Sequence, residues 1–254
     1  MTHQRSHRVL GTLLLILLVG VLSVADTGTS RAAVVERRPD LKMHKPSGFY
    51  IQNTATQKRL RFTTVMTNLG PGRFDVRASR PSTSYSRMSL KQRIYRSDGT
   101  YRSISIPTSD SYAFYAGDGH DHWHVYRLQQ FTIHRVHADG TYSGVLGRGA
   151  KTGFCFYDNT KVNLTLRYAP LSPSYTSCGT ASSTKVRMGL SVGWGDTYGA
   201  RLAYQWIQIN GLRDGVYRVR VTADSGNRFL ESVETNNAAA VSIRITGNTV
   251  VRLS

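Results

Sequence analysis

The sequence predicts an all-β protein, a single antiparallel β-sandwich-like domain with long loops. Short segments in which apolar and polar residues alternate recur along the chain from residue 40 onward. Turn signals rich in Gly, Asp and Asn separate these segments at short intervals, as in sandwiches and barrels. Long runs of Ala, Leu, Glu and Lys are absent from the sequence, whereas Tyr, a strand-favouring residue, is frequent.

The predicted strands follow one another without an intervening linker or repeat, so residues 40–254 form one domain. Turns are predicted at residues 68–72, 97–99, 138–140 and 213–215. Beyond the N-terminal segment, no helix is predicted. The predicted strands cover residues 60–65, 74–76, 92–95, 101–106, 125–136, 205–209, 216–221 and, as the last strand, 240–245.

The N-terminus is predicted to be a signal peptide, residues 1–25. Arg5 and Arg8 precede an apolar run over residues 9–24, and small residues follow, with cleavage as late as residue 33. The alternative is an uncleaved membrane anchor, but the run is short for a span of ~20 residues. We therefore expect a secreted protein without a stable membrane anchor, in which residues 26–39 form a flexible leader.

The two cysteines, Cys155 and Cys178, are predicted to form a disulfide. They are the only cysteines in the chain, and export places them in an oxidising compartment. The closed loop would stabilise the fold by roughly 3 kcal/mol in the chain-entropy model. Two buried thiols are the alternative, whereas the absence of a CxxC pattern excludes a zinc ribbon.

The formal net charge of +18 indicates a surface that attracts anionic polymers such as polysaccharides or acidic proteins. The basic residues are scattered along the chain rather than concentrated in one arm. No motif of a nucleic-acid-binding fold accompanies them, so a specific nucleic-acid partner is not expected.

Three alternating histidines, His120, His122 and His124, form the segment that is most informative about function. Residues i, i+2 and i+4 of a strand share one face, and imidazole is a common ligand of zinc and copper. In a straight strand the outer two Cα atoms would be ~13 Å apart. A histidine reaches a metal at most ~6.5 Å from its Cα. The three can therefore share one ion only if the chain bends, which Gly117 and Gly119 permit.

The histidine spacing alone leaves the metal open, because it fits zinc hydrolases and copper oxidases alike. Asp121 would face the opposite side of the strand and is not expected to be a ligand. Three solvated polar residues on a strand face are the alternative to a metal site. His134 and His137, on the next strand or turn, are expected to be surface residues.

Four segments together resemble the lysyl oxidase family. Residues 120–124 resemble the family's copper-binding motif, and residues 149–155 resemble the stretch that carries its cofactor lysine. Residues 189–207 resemble the stretch that carries the cofactor tyrosine, and residues 231–237 resemble the family's C-terminal motif. The similarity covers residue 40 to the C-terminus. The combination is specific, although the histidine motif alone is not.

This resemblance implies a copper-dependent amine oxidase. His120, His122 and His124 would bind copper, and Lys151 and Tyr198 would form the cofactor lysine tyrosylquinone. The substrate would be a primary amine, either small or a lysine of an extracellular protein, and the products an aldehyde, hydrogen peroxide and ammonia. Asp196 is a candidate catalytic base, with a turn-capping role as the alternative.

The resemblance also implies a calcium site that joins the start of the domain to its end. Its oxygen ligands would be Asp40, Glu231, Asn236 and Asn237. Val233 stands where the family has an aspartate, and a plain polar turn is the alternative.

Two other functions are compatible with parts of the sequence. A non-catalytic, metal-stabilised adhesin or wall-binding module would suit the basic surface, and a zinc hydrolase would suit the histidines. Lys151 and Tyr198 discriminate amine oxidation from these two alternatives, because neither an adhesin nor a zinc hydrolase requires a lysine paired with a tyrosine.

Overall fold

The computed structural model describes residues 1–2, 33–117 and 119–253, and it confirms the all-β class. The predicted signal peptide lies almost wholly outside these residues. Val34–Ser254 form one compact unit. No helix in the described part of the chain is long and apolar enough to cross a membrane.

Nineteen strands make up the described fold. They are β1 (Glu36–Arg37), β2 (Leu41–Met43), β3 (Ser47–Asn53), β4 (Lys58–Asn68), β5 (Phe74–Ser79), β6 (Arg87–Arg96), β7 (Tyr101–Ile106), β8 (Ala113–Tyr115), β9 (Trp123–Tyr126), β10 (Gln129–Arg135), β11 (Gly147–Arg148), β12 (Gly153–Phe154), β13 (Thr160–Lys161), β14 (Lys185–Leu190), β15 (Trp194–Tyr198), β16 (Trp206–Gln208), β17 (Gly215–Ala223), β18 (Ala238–Thr246) and β19 (Thr249–Arg252).

The strands pair antiparallel in three sheets. One sheet has the order β12-β9-β8-β6-β5-β14, with β1 and β7 also pairing with β6. A second has the order β11-β10-β17-β18-β19. The third has the order β13-β15-β4-β16, with β2 and β3 also pairing with β4. Burial alternates along β17 and β18, which explains why the alternation of apolar and polar residues in the sequence predicts these strands.

An aromatic chain joins the three sheets inside the core. Phe62 of β4 packs 5.3 Å from Phe131 of β10, between ring centroids, and Phe131 lies 6.0 Å from Phe154 of β12. Phe154 in turn contacts Tyr198 of β15 at 5.3 Å, edge to face. Such pairs contribute about 1 kcal/mol each beyond their burial. The chain of rings ends at a residue predicted to carry the cofactor.

Three predictions need correction. The predicted strand 125–136 is two strands, because Arg127 adopts a positive φ of 58° that interrupts the pairing. The last strand is β19 rather than β18, and a tight turn with Gly247 at φ 53° connects the two. The described part of the predicted flexible leader, residues 33–39, includes β1. This strand pairs with β6, and Glu36 forms an ion pair with Arg102.

Candidate functional site

The histidine segment bends as the spacing argument requires. Only His124 lies in β9, whereas His120 and His122 lie in the loop before it. The His122 backbone N–H donates to the His120 carbonyl at 2.8 Å, which closes a tight turn of three residues. Gly117 and Gly119 adopt left-handed φ values of 62° and 86°, which L side chains rarely adopt.

The bend gathers the three imidazole rings. Their centroids are 5.7 Å apart for His120 and His122, 6.0 Å for His120 and His124, and 4.8 Å for His122 and His124. Three imidazoles that bind one tetrahedral ion through ~2.0 Å bonds have centroids ~5 Å apart. The ring spacing therefore fits a shared ion.

The rings still require adjustment before they could hold an ion. The Nε2 atoms of His122 and His124 face each other at 2.9 Å, in hydrogen-bond contact. In this arrangement, no group of three or more His, Cys, Asp or Glu side chains among the described residues could hold a metal ion. The chemistry and spacing of the donors fit a transition-metal ion such as copper or zinc, but the nitrogen contact must open to admit it.

Lys151 lies between β11 and β12, and its side chain is buried, with the residue only 6% exposed. Two glycines allow this loop to approach the core. A Cβ at Gly149 would lie 2.6 Å from the Phe131 ring, and one at Gly153 would lie 2.8 Å from the His124 Cβ. Neither site has room for a side chain, so the glycines bring Lys151 against the histidine strand.

Lys151 and Tyr198, which are far apart in sequence, meet in the core. The Lys151 Nζ lies 5.7 Å from the centroid of the Tyr198 ring and 5.5 Å from that of Phe154. Tyr198 is 5% exposed, and its hydroxyl donates a hydrogen bond to the carbonyl of Cys155. Burial raises the pKa of this phenol well above its usual range, and the nearby Asp196 carboxyl adds to the shift.

Asp196 lies beside the same tyrosine, on the inside of β15. It belongs to a strand and is 1% exposed, so the turn-capping alternative does not describe it. Its Oδ1 accepts a hydrogen bond from the Asn159 amide, and its Oδ2 has no partner within hydrogen-bonding geometry. Burial raises the pKa of Asp196 to about 7, although the Tyr198 hydroxyl, Asn159 and Lys151 each lower it in part. No sequence signal singled out Asn159.

The predicted disulfide between Cys155 and Cys178 is present. Besides closing a loop, it connects two parts of the site. The Cys155 carbonyl accepts the Tyr198 hydroxyl, and the Cys178 carbonyl accepts the backbone N–H of Trp123, which lies between two of the histidines.

A cavity of about 220 Å³ connects His124 to Lys151. It is lined by His124 and Lys151 together with Phe114 and Tyr204. Tyr204, which the sequence did not indicate as a site residue, has a positive φ of 58° and stacks on Trp206 at 5.3 Å between centroids. The cavity is a space in which a small amine could reach both the His124 ring and Lys151.

The residues predicted as calcium ligands converge on the junction of the domain's two ends. Glu231 accepts the backbone N–H of Leu41 and, at 2.7 Å, the Asn237 side-chain amide. Its pKa is raised to about 9, first by burial and further by the carboxylates of Glu234 and Asp224. Three oxygens of this predicted ligand set are buried without a hydrogen-bond partner: the Oδ1 atoms of Asp40, Asn236 and Asn237. Repelling carboxylates and unpartnered oxygens suit a hard cation.

Two of the remaining predicted residues are peripheral. His137 is exposed, and the His134 ring is held by hydrogen bonds to the Ser143 carbonyl and the Thr132 hydroxyl. Both are therefore outside the histidine cluster.

Comparison with known proteins gives one family. The lysyl oxidase family model matches residues 90–254. Protein-lysine 6-oxidase of Homo sapiens is 29% identical over 143 residues, 56% of this chain and 31% of the relative. Lysyl oxidase homolog 1 of Homo sapiens is 31% identical over 130 residues, 51% of this chain and 20% of the relative. Protein-lysine 6-oxidase of Sus scrofa is 28% identical over 143 residues, 51% of its length. The histidines, Lys151 and Tyr198 lie inside the range that the family model matches, whereas Asp40 precedes it.

Proposed function

Because the chain belongs to the lysyl oxidase family, we propose that it is a secreted copper-dependent enzyme that oxidatively deaminates primary amines. The observation that carries the proposal is the burial of Lys151 with its Nζ 5.7 Å from the Tyr198 ring, on the cavity that His124 also lines. A buried lysine without a function is rare, because its charge is costly to desolvate. Neither an adhesin nor a zinc hydrolase explains this pair.

In this proposal, His120, His122 and His124 hold copper, and Lys151 and Tyr198 supply the atoms of lysine tyrosylquinone. The group supplies an electrophilic carbonyl and an electron sink, through which a primary amine is oxidised to an aldehyde while O₂ is reduced to hydrogen peroxide and ammonia is released.

The protein's own residues position these reactants. Phe154 packs edge to face against the Tyr198 ring and fixes its plane, while the Cys155 carbonyl fixes its hydroxyl. The buried surroundings exclude water from Lys151, whose amine acts as a nucleophile in its neutral form. Asp196, with one carboxylate oxygen lacking a hydrogen bond, is the group that accepts the α-proton of the substrate.

The proposal is tested by incubating the copper-loaded protein with a simple alkylamine and measuring hydrogen peroxide. We expect peroxide release that depends on the amine, and a coloured adduct with phenylhydrazine, which reacts with quinone carbonyls. Zinc-loaded protein should give neither. Hydrolytic activity with zinc and no peroxide with copper would favour a zinc hydrolase, and no activity with either metal would favour an adhesin.

The role of Asp196 predicts a pH dependence. A carboxyl with a pKa near 7 is protonated below pH 7 and cannot accept a proton, so kcat should rise with pH through about 7. Asp196→Asn should lower kcat by roughly 10²-fold or more and flatten this profile. Because the folded-state pKa lies above the usual value, the carboxyl favours folding below about pH 4 and loses that contribution as pH rises through 7.

Asp196→Asn should consequently be at least as stable as the parent protein at pH 8, as measured by thermal unfolding. A variant that is inactive because it is misfolded would melt lower at this pH. An unchanged pH profile of kcat in Asp196→Asn would eliminate this residue as the base.

We further propose that Asp40, Glu231, Asn236 and Asn237 bind calcium. A cation there would offset the repulsion of Glu231 by the nearby Glu234 and Asp224 carboxylates and would join Asp40, just before β2, to the segment before β18. Millimolar calcium should raise the unfolding temperature by several degrees, since binding only to the folded state at 100-fold excess over Kd contributes about 2.7 kcal/mol.

Glu231→Gln should remove this calcium-dependent shift while leaving a folded protein, because the amide keeps the side chain's shape. The matched control is Glu36→Gln, which removes a carboxylate from β1, outside the predicted ligand set. A calcium shift that is equal in Glu231→Gln and in the parent would contradict the assignment.

The basic surface is the remaining part of the proposal. With a formal net charge of +18, the protein is expected to adhere to anionic extracellular polymers, an interaction that salt weakens.

A further inference from the structure

A second cavity, of about 480 Å³, opens on the other side of Lys151. Lys151 and Thr152 line both this cavity and the one that contains His124. Its deeper lining includes Gln129, which is 3% exposed, and Lys151 itself, while its rim includes the exposed side chains of Arg127 and Arg148. We call it the arginine cavity. A ligand that fills it lies directly beside the lysine.

The arginine cavity is cationic. Arg127, Arg148 and Arg228 line it together with Lys151, and none of the described lining residues is an aspartate or glutamate. Asp224 forms an ion pair with Arg228, with 3.9 Å between its Oδ1 and the Arg228 Nη1, and so compensates only this one arginine. The other oxygen of Asp224 is already bonded to the Phe229 backbone N–H at 2.8 Å. The cavity therefore keeps a net positive potential.

Two side chains of this lining carry buried donor atoms without a hydrogen bond. The Nε2 of Gln129 and the Nη1 of Arg228 are both buried without a hydrogen-bond partner. The Oε1 of Gln129 is fixed by a long contact of 3.4 Å from the Thr64 hydroxyl, which leaves the amide nitrogen as the free end of the side chain. Buried donors without partners are costly to desolvate, so they are rare in folded proteins and call for an explanation such as a bound ligand.

An anion is the class of ligand that best complements this lining of cationic and donor side chains. A carboxylate has two oxygens and up to four lone-pair positions, which suit one amide N–H, one guanidinium N–H and a second arginine at the rim. A cationic or purely apolar ligand would leave the donors unpaired and would meet the positive potential of the rim. The volume lies within the range of ligand pockets, 300–1,000 Å³ approximately, and accommodates a carboxylate-bearing side chain.

We propose that the arginine cavity is a carboxylate-binding subsite, which makes the enzyme prefer primary amines that carry a carboxylate close to the reacting amino group. This inference rests on the proposed amine oxidation at Lys151 and Tyr198. The carboxylate can come from acidic residues that flank a lysine in a peptide or from the α-carboxylate of a free amino acid. Polycations and simple diamines are then poor substrates.

The test compares matched substrates by the kcat/KM of peroxide release. One blocked peptide has a central lysine between two glutamates, and its partner has the same lysine between two glutamines. Free lysine and an alkylamine without a carboxylate form the second pair. We expect the acidic peptide to be preferred roughly tenfold, on the scale of one charge-assisted hydrogen bond. A preference for free lysine over the alkylamine without a preference between the peptides would identify the α-carboxylate as the group bound.

Arginine variants connect the preference to the cavity. In Arg127→Gln/Arg148→Gln, the ratio of the two kcat/KM values within a pair should fall toward one. Because the ratio is taken within one protein, a general loss of activity cancels. Arg244→Gln, a loss of the same charge on an exposed position of β18, is the matched control and should keep the ratio. Equal ratios in the double variant and in the parent overturn the subsite.

A binding measurement separates this inference from the proposed function. The acidic peptide with norleucine in place of lysine cannot be oxidised, and its Kd is measured with metal-free protein by calorimetry. We expect binding that the double variant weakens roughly tenfold and that 0.5 M salt weakens as well. If no amine is a substrate, the proposed amine oxidase function is wrong. The binding result would still decide whether the arginine cavity binds carboxylates. No binding of the acidic peptide by the parent protein overturns it.

Discussion

Replacing Tyr198 by phenylalanine is expected to reduce amine-dependent peroxide release to background. The loss should be at least about a thousandfold, the scale on which removing a covalent catalytic group acts. The substitution removes only the hydroxyl oxygen, and the ring can still pack against Phe154. Because the phenol is the group that must be oxidised, phenylhydrazine should give no coloured adduct either.

The control for this variant is Tyr217→Phe. Tyr217 is also buried, and its hydroxyl also donates to a backbone carbonyl, that of Arg213, while it accepts a hydrogen bond from the Arg135 guanidinium; it lies on β17, in another sheet. Tyr217→Phe should therefore lose at least as much stability as Tyr198→Phe, at about 1 kcal/mol for each missing hydrogen bond. Only Tyr198→Phe should lose activity. A copper-loaded Tyr198→Phe protein that still oxidises amines would eliminate the quinone mechanism.

Removing the disulfide is the change expected to have the largest effect on stability. Cys155 and Cys178 are separated by 23 positions, and a loop of this size contributes about 3 kcal/mol in the chain-entropy model. In a domain of this size, such a loss lowers the unfolding temperature by roughly 6–12 °C. The double variant Cys155→Ala/Cys178→Ala should show the lower unfolding temperature in thermal unfolding and the lower unfolding free energy in urea.

The same change should also impair the site. The backbone of Cys155 holds the Tyr198 hydroxyl, and that of Cys178 holds Trp123 between two histidines. We therefore expect weaker copper retention and lower kcat at a temperature where the variant is still folded. A reducing agent should destabilise the parent protein and leave the double variant unchanged. An unfolding free energy within ~0.5 kcal/mol of the parent would contradict a structural role.

The strands that the sequence revealed are those with one buried and one solvated face. The alternation in residues 101–106 and 216–221 predicted β7 and β17 with little error, because burial there follows the side-chain period of two. The boundary at Arg127 was not predictable, since a positive φ in arginine has no local signature. Strand β19 was not predictable either, because its four residues are mostly exposed and show no alternation of buried and exposed side chains.

Some features of the candidate site were also predictable from the sequence, whereas others were not. The histidine spacing predicted a bend from reach alone, and the observed turn between His120 and His122 provides it. The approach of Lys151 to Tyr198 was implied only by family resemblance, because they lie on different elements whose packing depends on the whole core. Gly149 and Gly153 show the physical reason for that approach, which becomes visible only once Phe131 and His124 are placed beside them.

The central claim is that Lys151 and Tyr198 together form the reactive group of a copper amine oxidase. Peptide mass mapping of the protein after copper loading in air tests it most directly. We predict a covalently linked pair of peptides, one containing Lys151 and the other Tyr198, which is absent without copper and absent in Tyr198→Phe. Recovery of both peptides separate and unmodified from a protein that oxidises amines would contradict the claim.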